Sequence, residues 1–316
     1  MKIHSATCIA GIATLCIIGS HASLALGQTK DSPNHSKHQN KVVHQFSIPA
    51  RQGVAVDRNY LYAISNTEIV KCEKLTGEVV TSWVADANTP RHGHILHLNS
   101  GTVVGTQLFC AHSRYPIAPN DNTVELWDVE DRKLEHIASL NIPGKYGSLT
   151  WIDQHRNGSW WMCFARYGRP ENEKTTLVHY KFEQPAMHKG LPQFIEIESW
   201  NFPEEVIQHW GTKSCSGGSW GPDGLLYTTG HDDSTAFVLS IDEPIQDDSG
   251  GVAASPNRPS RLRLARTETG MGFFGQAIAW DRSAQDPILW GIVKRKNVSA
   301  TLIPAAAVKP SGSEND

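Results

Sequence analysis

Apolar and polar positions alternate along the chain in short runs separated by turn-forming residues, the length and period of β-strands rather than of amphipathic helices. Five of these runs open on a glycine, and most close on Asp or Asn: Gly53–Asp57 (GVAVD), Gly93–Asn99 (GHILHLN), Gly147–Asp153 (GSLTWID), Gly218–Asp223 (GSWGPD) and Gly275–Asp281 (GQAIAWD). Each is followed by further strand-like runs. The first set continues with Tyr60–Ser65, Glu68–Glu73 and Val79–Val84, the last two joined by the turn Leu75-Thr-Gly-Glu78. The second continues with Thr102–Gln107, Thr123–Val129 and Leu134–Leu140. The third continues with Ser159–Ala165, Thr176–Phe182 and Gln193–Trp200, and the fourth with Leu225–Thr229, Ala236–Ile241 and Arg261–Thr267. A polar, Gly/Pro-rich loop, 242–260, is expected to be mobile within the fourth set.

Strand sets that recur every roughly 40–70 residues are the signature of a β-propeller. The fold expected is therefore all-β: a propeller of five four-stranded blades in one domain, residues 42–305, with six or seven blades as the alternative. The fifth set has only three strands downstream, Gly275–Asp281, Ile288–Val293 and Ser299–Ala305, while Val42–Ile48 is a spare strand upstream. Pairing that N-terminal strand into the last blade closes the ring and hides two open sheet edges. A glycine opening each inner strand allows close approach at the axis, and an Asp or Asn at its end caps the following turn.

The first residues change the picture of where the chain works. A weakly basic start, an apolar stretch over Ala6–Gly19 and small residues before Gly27 read as an export signal spanning 1–27, giving a secreted or periplasmic protein. The apolar stretch is shorter than a membrane span of about 20 residues, so no stable membrane span is expected after cleavage. Residues 28–41 read as a disordered linker and 306–316 as a flexible tail. Of the six cysteines, Cys8 and Cys16 leave with the signal. Cys72, Cys110, Cys163 and Cys215 permit two disulfides in three pairings, although Cys110 and Cys163 sit in apolar strands and read equally as buried thiols. A net charge of −3 gives no basic field for nucleic acid.

In a propeller, the loops entering the inner strands share one face with those leaving the second strands. That face is expected to gather five histidines, several arginines and flat aromatics. His92 and His94, two apart on a predicted strand, point to one side, whereas His97 is one pleat out of register and points elsewhere. With His112, His231 and Asp232 they form a candidate site for one divalent metal, or else a set of hydrogen-bonded channel histidines. Candidate catalytic groups are His94 and His231 for the proton, assisted by Tyr146 and Tyr167. Candidate ligand-binding groups are Arg91, Arg114, Arg166 and Arg295 for an anion, with Gln276 and Trp210 beside them. The arginines could equally serve in salt bridges between blades, and half the aromatics in the core.

No phosphate loop or His-Glu-x-x-His occurs, and the spacings at Gly217–Gly221 (GGSWG) and Gly270–Gly275 (GMGFFG) fall among strand runs without the following helix that a nucleophile elbow or a dinucleotide fingerprint requires. The hairpin Leu75-Thr-Gly-Glu-Val-Val80 and the glycine-led inner strands resemble secreted bacterial β-propeller proteins over most of residues 42–305. That resemblance implies a fold shared by sugar hydrolases, polysaccharide lyases, lactonases and cycloisomerases, and also by non-catalytic scaffolds. The expected function is a monomeric propeller acting on a polar or anionic small molecule or carbohydrate, as a lyase, isomerase or hydrolase. The alternative is a scaffold that binds a ligand or another exported protein.

Overall fold

The computed structural model describes residues 40–117, 121–184, 192–241 and 262–304. The expected signal, nearly all of the expected linker, the loop 242–260 and the expected tail lie outside the described residues. Twenty strands form five four-stranded antiparallel sheets. Blade I comprises Gly53–Val56, Tyr60–Ile64, Glu68–Glu73 and Val79–Val84. Blade II comprises Leu98–Val104, Gln107–Ser113, Asn122–Asp128 and Glu135–Ile142. Blade III comprises Ser148–Gln154, Trp160–Ala165, Thr176–Glu183 and Gln193–Asn201. Blade IV comprises Gly217–Trp220, Leu226–Thr229, Ala236–Ile241 and Leu262–Glu268. Blade V comprises Ile278–Trp280, Ile288–Val293 and Asn297–Leu302, and its outer strand is Lys41–Phe46 from the N-terminal end. Among the described residues no helix is long and apolar enough to cross a membrane.

The ring closes as the strand count predicts. Lys41 faces Leu302 and Phe46 faces Val298 across an antiparallel ladder, and each inner strand packs beside the next all the way round. Period-2 alternation sends neighbouring side chains into different interfaces. Val54 packs against blade V and Ala55 against blade II; Phe109 packs toward blade III while Leu108 and Cys110 pack toward blade I. The core is accordingly five apolar clusters, one between each pair of adjacent blades. Lys71 is wholly buried between blades I and II. Its Nζ donates to the carbonyls of Val129, Asp131 and Lys133 and lies 4.1 Å from the Tyr60 ring centroid. The four cysteines of the propeller are buried free thiols.

The axis explains its glycines. A Cβ on Gly53 would stand 2.7 Å from the Asn99 carbonyl oxygen and 2.9 Å from Ser100 Cα of the neighbouring inner strand. The expected Asp caps form at Asp57, Asp223 and Asp281, whose Oδ1 atoms accept backbone N–H groups of the turns that follow. Asp153 departs from the pattern. Its Oδ2 accepts the Arg282 guanidinium at 2.6 Å, the Trp220 N–H at 2.8 Å and the Ser219 hydroxyl. It therefore ties blades III, IV and V together at one end of the axis.

Blade II corrects the sequence reading. Gly93 does not open an inner strand. Residues 89–95 coil into a turn, with Gly93 N–H donating to the Thr89 carbonyl and Ile95 N–H to that of His92. The Asp86 carboxylate opens this segment by accepting the Asn88 N–H. The inner strand starts at Leu98, and its hairpin partner is Gln107–Ser113 rather than 102–107. His92 and His94 thus sit on a turn and share no strand face.

Candidate functional site

At one end of the axis all five blades contribute to one cavity of about 260 Å³. Blade I supplies Gln52 and Asn66, and blade II with its connector supplies His97, Asn99, Ser113 and Tyr115. Blade III gives Ser148, Thr150 and Tyr167. Blade IV and its connector give Lys213, Ser216 and His231, and blade V gives Gln276 and Arg295. Every lining side chain is polar. Two carry fixed positive charge, Lys213 and Arg295, and no carboxylate lines the space.

His231 is held from both sides. Its Nδ1 lies 2.5 Å from Asp232 Oδ1, and its Nε2 lies 3.1 Å from the Arg295 guanidinium. A guanidinium can only donate, so Nε2 accepts, Nδ1 carries the proton, and the ring is neutral. Burial pushes the His231 pKa below its ordinary value; Lys213 and Arg295 add to this, while Asp232 opposes it. His97 is also held low, by burial and then by Arg295. A ledge of rings borders the cavity: His97 to Tyr115 at 5.7 Å and Tyr115 to Tyr167 at 5.5 Å between centroids.

Backbone strain concentrates here. Only four described non-glycine residues have left-handed φ, and two of them, Gln276 (φ 64°) and Arg295 (φ 59°), line the cavity. Arg295 and Lys294 (φ 51°) form a tight turn closed by Lys296 N–H to the Val293 carbonyl. Glycine or asparagine is the usual occupant of such positions, and other residues cost about 1–3 kcal/mol each.

Of the residues expected at the mouth, the cavity brings together His231, Tyr167, Gln276 and Arg295, with Asp232 directly behind His231. The others are held elsewhere. Arg91 donates to the His136 carbonyl. Arg166 donates to the carbonyls of Tyr146 and Lys145 and pairs with Glu171. The Tyr146 hydroxyl donates to Glu196, 2.7 Å away on the outer strand of blade III. Trp210 ends the short helix Glu204–Trp210 and is buried against Phe202 and Phe237. Arg114 pairs with Asp121 at 3.0 Å on the surface. His97, expected to point away, lines the cavity, because the strand it precedes begins five residues later than the glycine pattern suggested. Asn99, Ser113, Thr150 and Ser216 are also lining residues that sequence reasoning missed.

His94 and His112 belong to a different place, a cavity of about 380 Å³ beside blade II. Behind it lies Glu125, fully buried. Oε1 faces His94 Nε2 at 2.9 Å and the Thr123 hydroxyl at 2.5 Å; Oε2 faces His136 Nε2 at 2.7 Å and the Ser139 hydroxyl at 2.6 Å. Burial alone would raise this carboxyl, but the four donors outweigh it and hold the pKa far below the usual carboxylate range. The Glu125 bond raises the His94 pKa against the effect of burial, whereas burial takes His112 down to about 4. His92 stacks edge-on against Trp83 and His136. The five expected metal ligands therefore divide between blade II and the axial mouth. Among the described residues no three His, Cys, Asp or Glu side chains are grouped to hold a metal ion.

No protein-family profile matches the chain, and no curated protein matches it in sequence. Solved structures do. The chain is similar to the Cps50 (Swd1) β-propeller domain of Myceliophteria thermophila, with 9% identity over 80% of this chain and 82% of that one and a TM-score of 0.40. It is also similar to the PQQ-bound aldose sugar dehydrogenase of Streptomyces coelicolor, with 12% identity over 82% of each chain and a TM-score of 0.44. At these identities the likeness is one of fold.

Proposed function

We propose that this propeller binds, and acts chemically on, a small polar molecule carrying an anionic group, held at the mouth of its axis that Lys213 and Arg295 line. One observation carries the reading. The axial cavity gathers polar side chains from five blades around two cations: Lys213, which Asp232 meets only at 3.9 Å from behind the lining, and Arg295, which pairs with no carboxylate among the described residues. A forked guanidinium and an ammonium in a half-enclosed polar space suit a carboxylate or phosphate. A cavity of about 260 Å³ suits one small molecule rather than a polymer. Gln52, Asn66 and Gln276 offer hydrogen bonds to hydroxyl groups, and the Tyr115–Tyr167 ledge offers a flat face to a sugar ring.

His231 is the group suited to move a proton. It is neutral, held in one tautomer by Asp232, and aims Nε2 toward the cations. Removal of a proton next to a carboxylate is the chemistry this set serves, because the cations stabilise the developing charge. That makes a lyase or isomerase the favoured class. Hydrolysis by a carboxylate pair has no support in a cavity without lining carboxylates. On the pattern of residues 1–27 alone, the protein works after export.

The test is a binding screen of hydroxy acids, sugar acids, their lactones and matched neutral sugars by calorimetry, followed by turnover assays on His231→Ala. Acid-selective binding, with turnover lost in the variant, is the expected result. Preference for neutral sugars would overturn the anion reading, and unchanged turnover in His231→Ala would overturn the proton assignment.

A further inference from the structure

Arg295 is an odd partner for His231. Arginines elsewhere in the molecule find strong acceptors: Arg166 has Glu171 and two carbonyls, Arg282 has Asp153, and Arg169 has the carbonyls of Gly211 and Gln208. Arg295 pairs with no carboxylate among the described residues. Its one polar partner there is the lone pair of a neutral imidazole, 3.1 Å away. It is held in that position by a turn whose two central residues are both left-handed. A guanidinium so placed lacks its natural partner and occupies the nitrogen that a base would use.

We propose that Arg295 caps His231 in the free protein, and that a carboxylate-bearing ligand takes the guanidinium and thereby uncovers Nε2 as a base. The proposal rests on the reading of the mouth as an anion site. Two effects reverse together when the anion arrives. The Nε2 lone pair is released, and the positive charge that opposed its protonation is neutralised. The groups facing His231 are Asp232 on its own turn, Lys213 from the blade III–IV connector and Arg295 from blade V. His97, Tyr115 and Tyr167 complete the titratable lining. Only Arg295 bonds Nε2, so it is the group whose displacement frees the base. Asp232 stays on Nδ1 and keeps the tautomer. By linkage, anion and proton then favour each other's binding. With the His231 pKa low in the free protein and higher in the complex, ligand binding takes up a proton at pH values between the two. The base is thus switched on by the molecule it is to act upon.

The experiment is histidine-ring NMR on the ¹⁵N-labelled full chain, with His231→Ala to assign the resonance. The His231 pKa is measured for the free protein, with saturating glucuronate, with inorganic phosphate, and for ligand-free Arg295→Gln. A rise of about 0.5–1 unit is expected in Arg295→Gln and again with glucuronate. No rise in Arg295→Gln would overturn the cap. Glucuronate binding that leaves the His231 pKa unmoved would overturn the uncovering step while the anion reading stands. A rise with phosphate alone would overturn the carboxylate assignment. If neither anion binds, the anion reading falls, and the proposal with it.

Discussion

Replacing Glu125 by Gln tests a fully buried carboxylate. The substitution keeps shape and removes charge, so no cavity forms. Four donors now meet one carbonyl oxygen and one amide nitrogen, and two of the four must change role. They are able to do so. The Ser139 and Thr123 hydroxyls rotate, and His136 can change tautomer because its Nδ1 has no partner. What is lost is chiefly the charge assistance. Bonds to a charged acceptor are roughly twice as strong as neutral ones, worth about 1.5–3 against 0.5–1.5 kcal/mol. Summed over four bonds, with partial repair, the expected loss is about 2–4 kcal/mol, or about 5–12 °C in Tm for a domain of this size. Glu125→Ala would strand all four donors and is the poorer probe, since it risks not folding.

The pH dependence makes this prediction sharp. The folded pKa of Glu125 is depressed, so its contribution is complete above the ordinary carboxyl value of about 4.3 and is lost as pH falls toward the folded value. The folded pKa of His94 is raised, so its contribution is complete below about 6.5 and is lost as pH rises through the folded value. Both are present between about pH 4.5 and 6.5, and Gln removes both. Urea denaturation of wild type and Glu125→Gln across pH 3–9 should therefore show the largest difference in that window, shrinking on either side. A difference below about 1 kcal/mol, or one that is constant with pH, would refute the reasoning.

Two further outcomes follow from the ring. Deleting residues up to Asn40 should leave the melting temperature within a few degrees, whereas deleting through Phe46 strips the ladder from Asn297–Leu302 and the rings of His44 and Phe46 from Trp290; equal melting of the two truncations would contradict closure by the N-terminal strand. Gly53→Ala places a Cβ 2.7 Å from a backbone oxygen that cannot move alone, so a loss of about 2–4 kcal/mol in urea denaturation is expected, and a neutral result would show that the inner strands can spread.

Strand period, glycine spacing and one spare N-terminal strand made the propeller and its closure legible in the sequence. Those signals are local or are set by counting. Blade II was misread where local signals competed. Gly93-His-Ile-Leu-His-Leu alternates like an inner strand, but the Asp86 turn before it absorbs Gly93, and the role of close approach to a neighbouring strand passes to Gly101, whose Cβ would meet the Phe109 carbonyl at 2.8 Å. The shift carried His97 into the axial cavity and left His94 on Glu125.

The arginines show why the site was only half legible. Arg91, Arg114, Arg166 and Arg295 all lie in connections between strands, and nothing in residue type separates them. What separates them is the acceptor each finds, and every one lies at least five positions away in the chain: the His136 carbonyl for Arg91, Asp121 for Arg114, Tyr146 with Glu171 for Arg166, and the His231 ring for Arg295. Such pairings exist only once strands and loops have folded. Arg295 is told apart by a remainder: after the fold has used its carboxylates and carbonyls, this guanidinium is left facing a neutral ring, on a turn whose backbone is strained to hold it there. A cation that folding could have paired and did not, kept in place at a cost of about 1–3 kcal/mol per strained residue, is better explained by a partner that arrives from solution than by the stability of the ring.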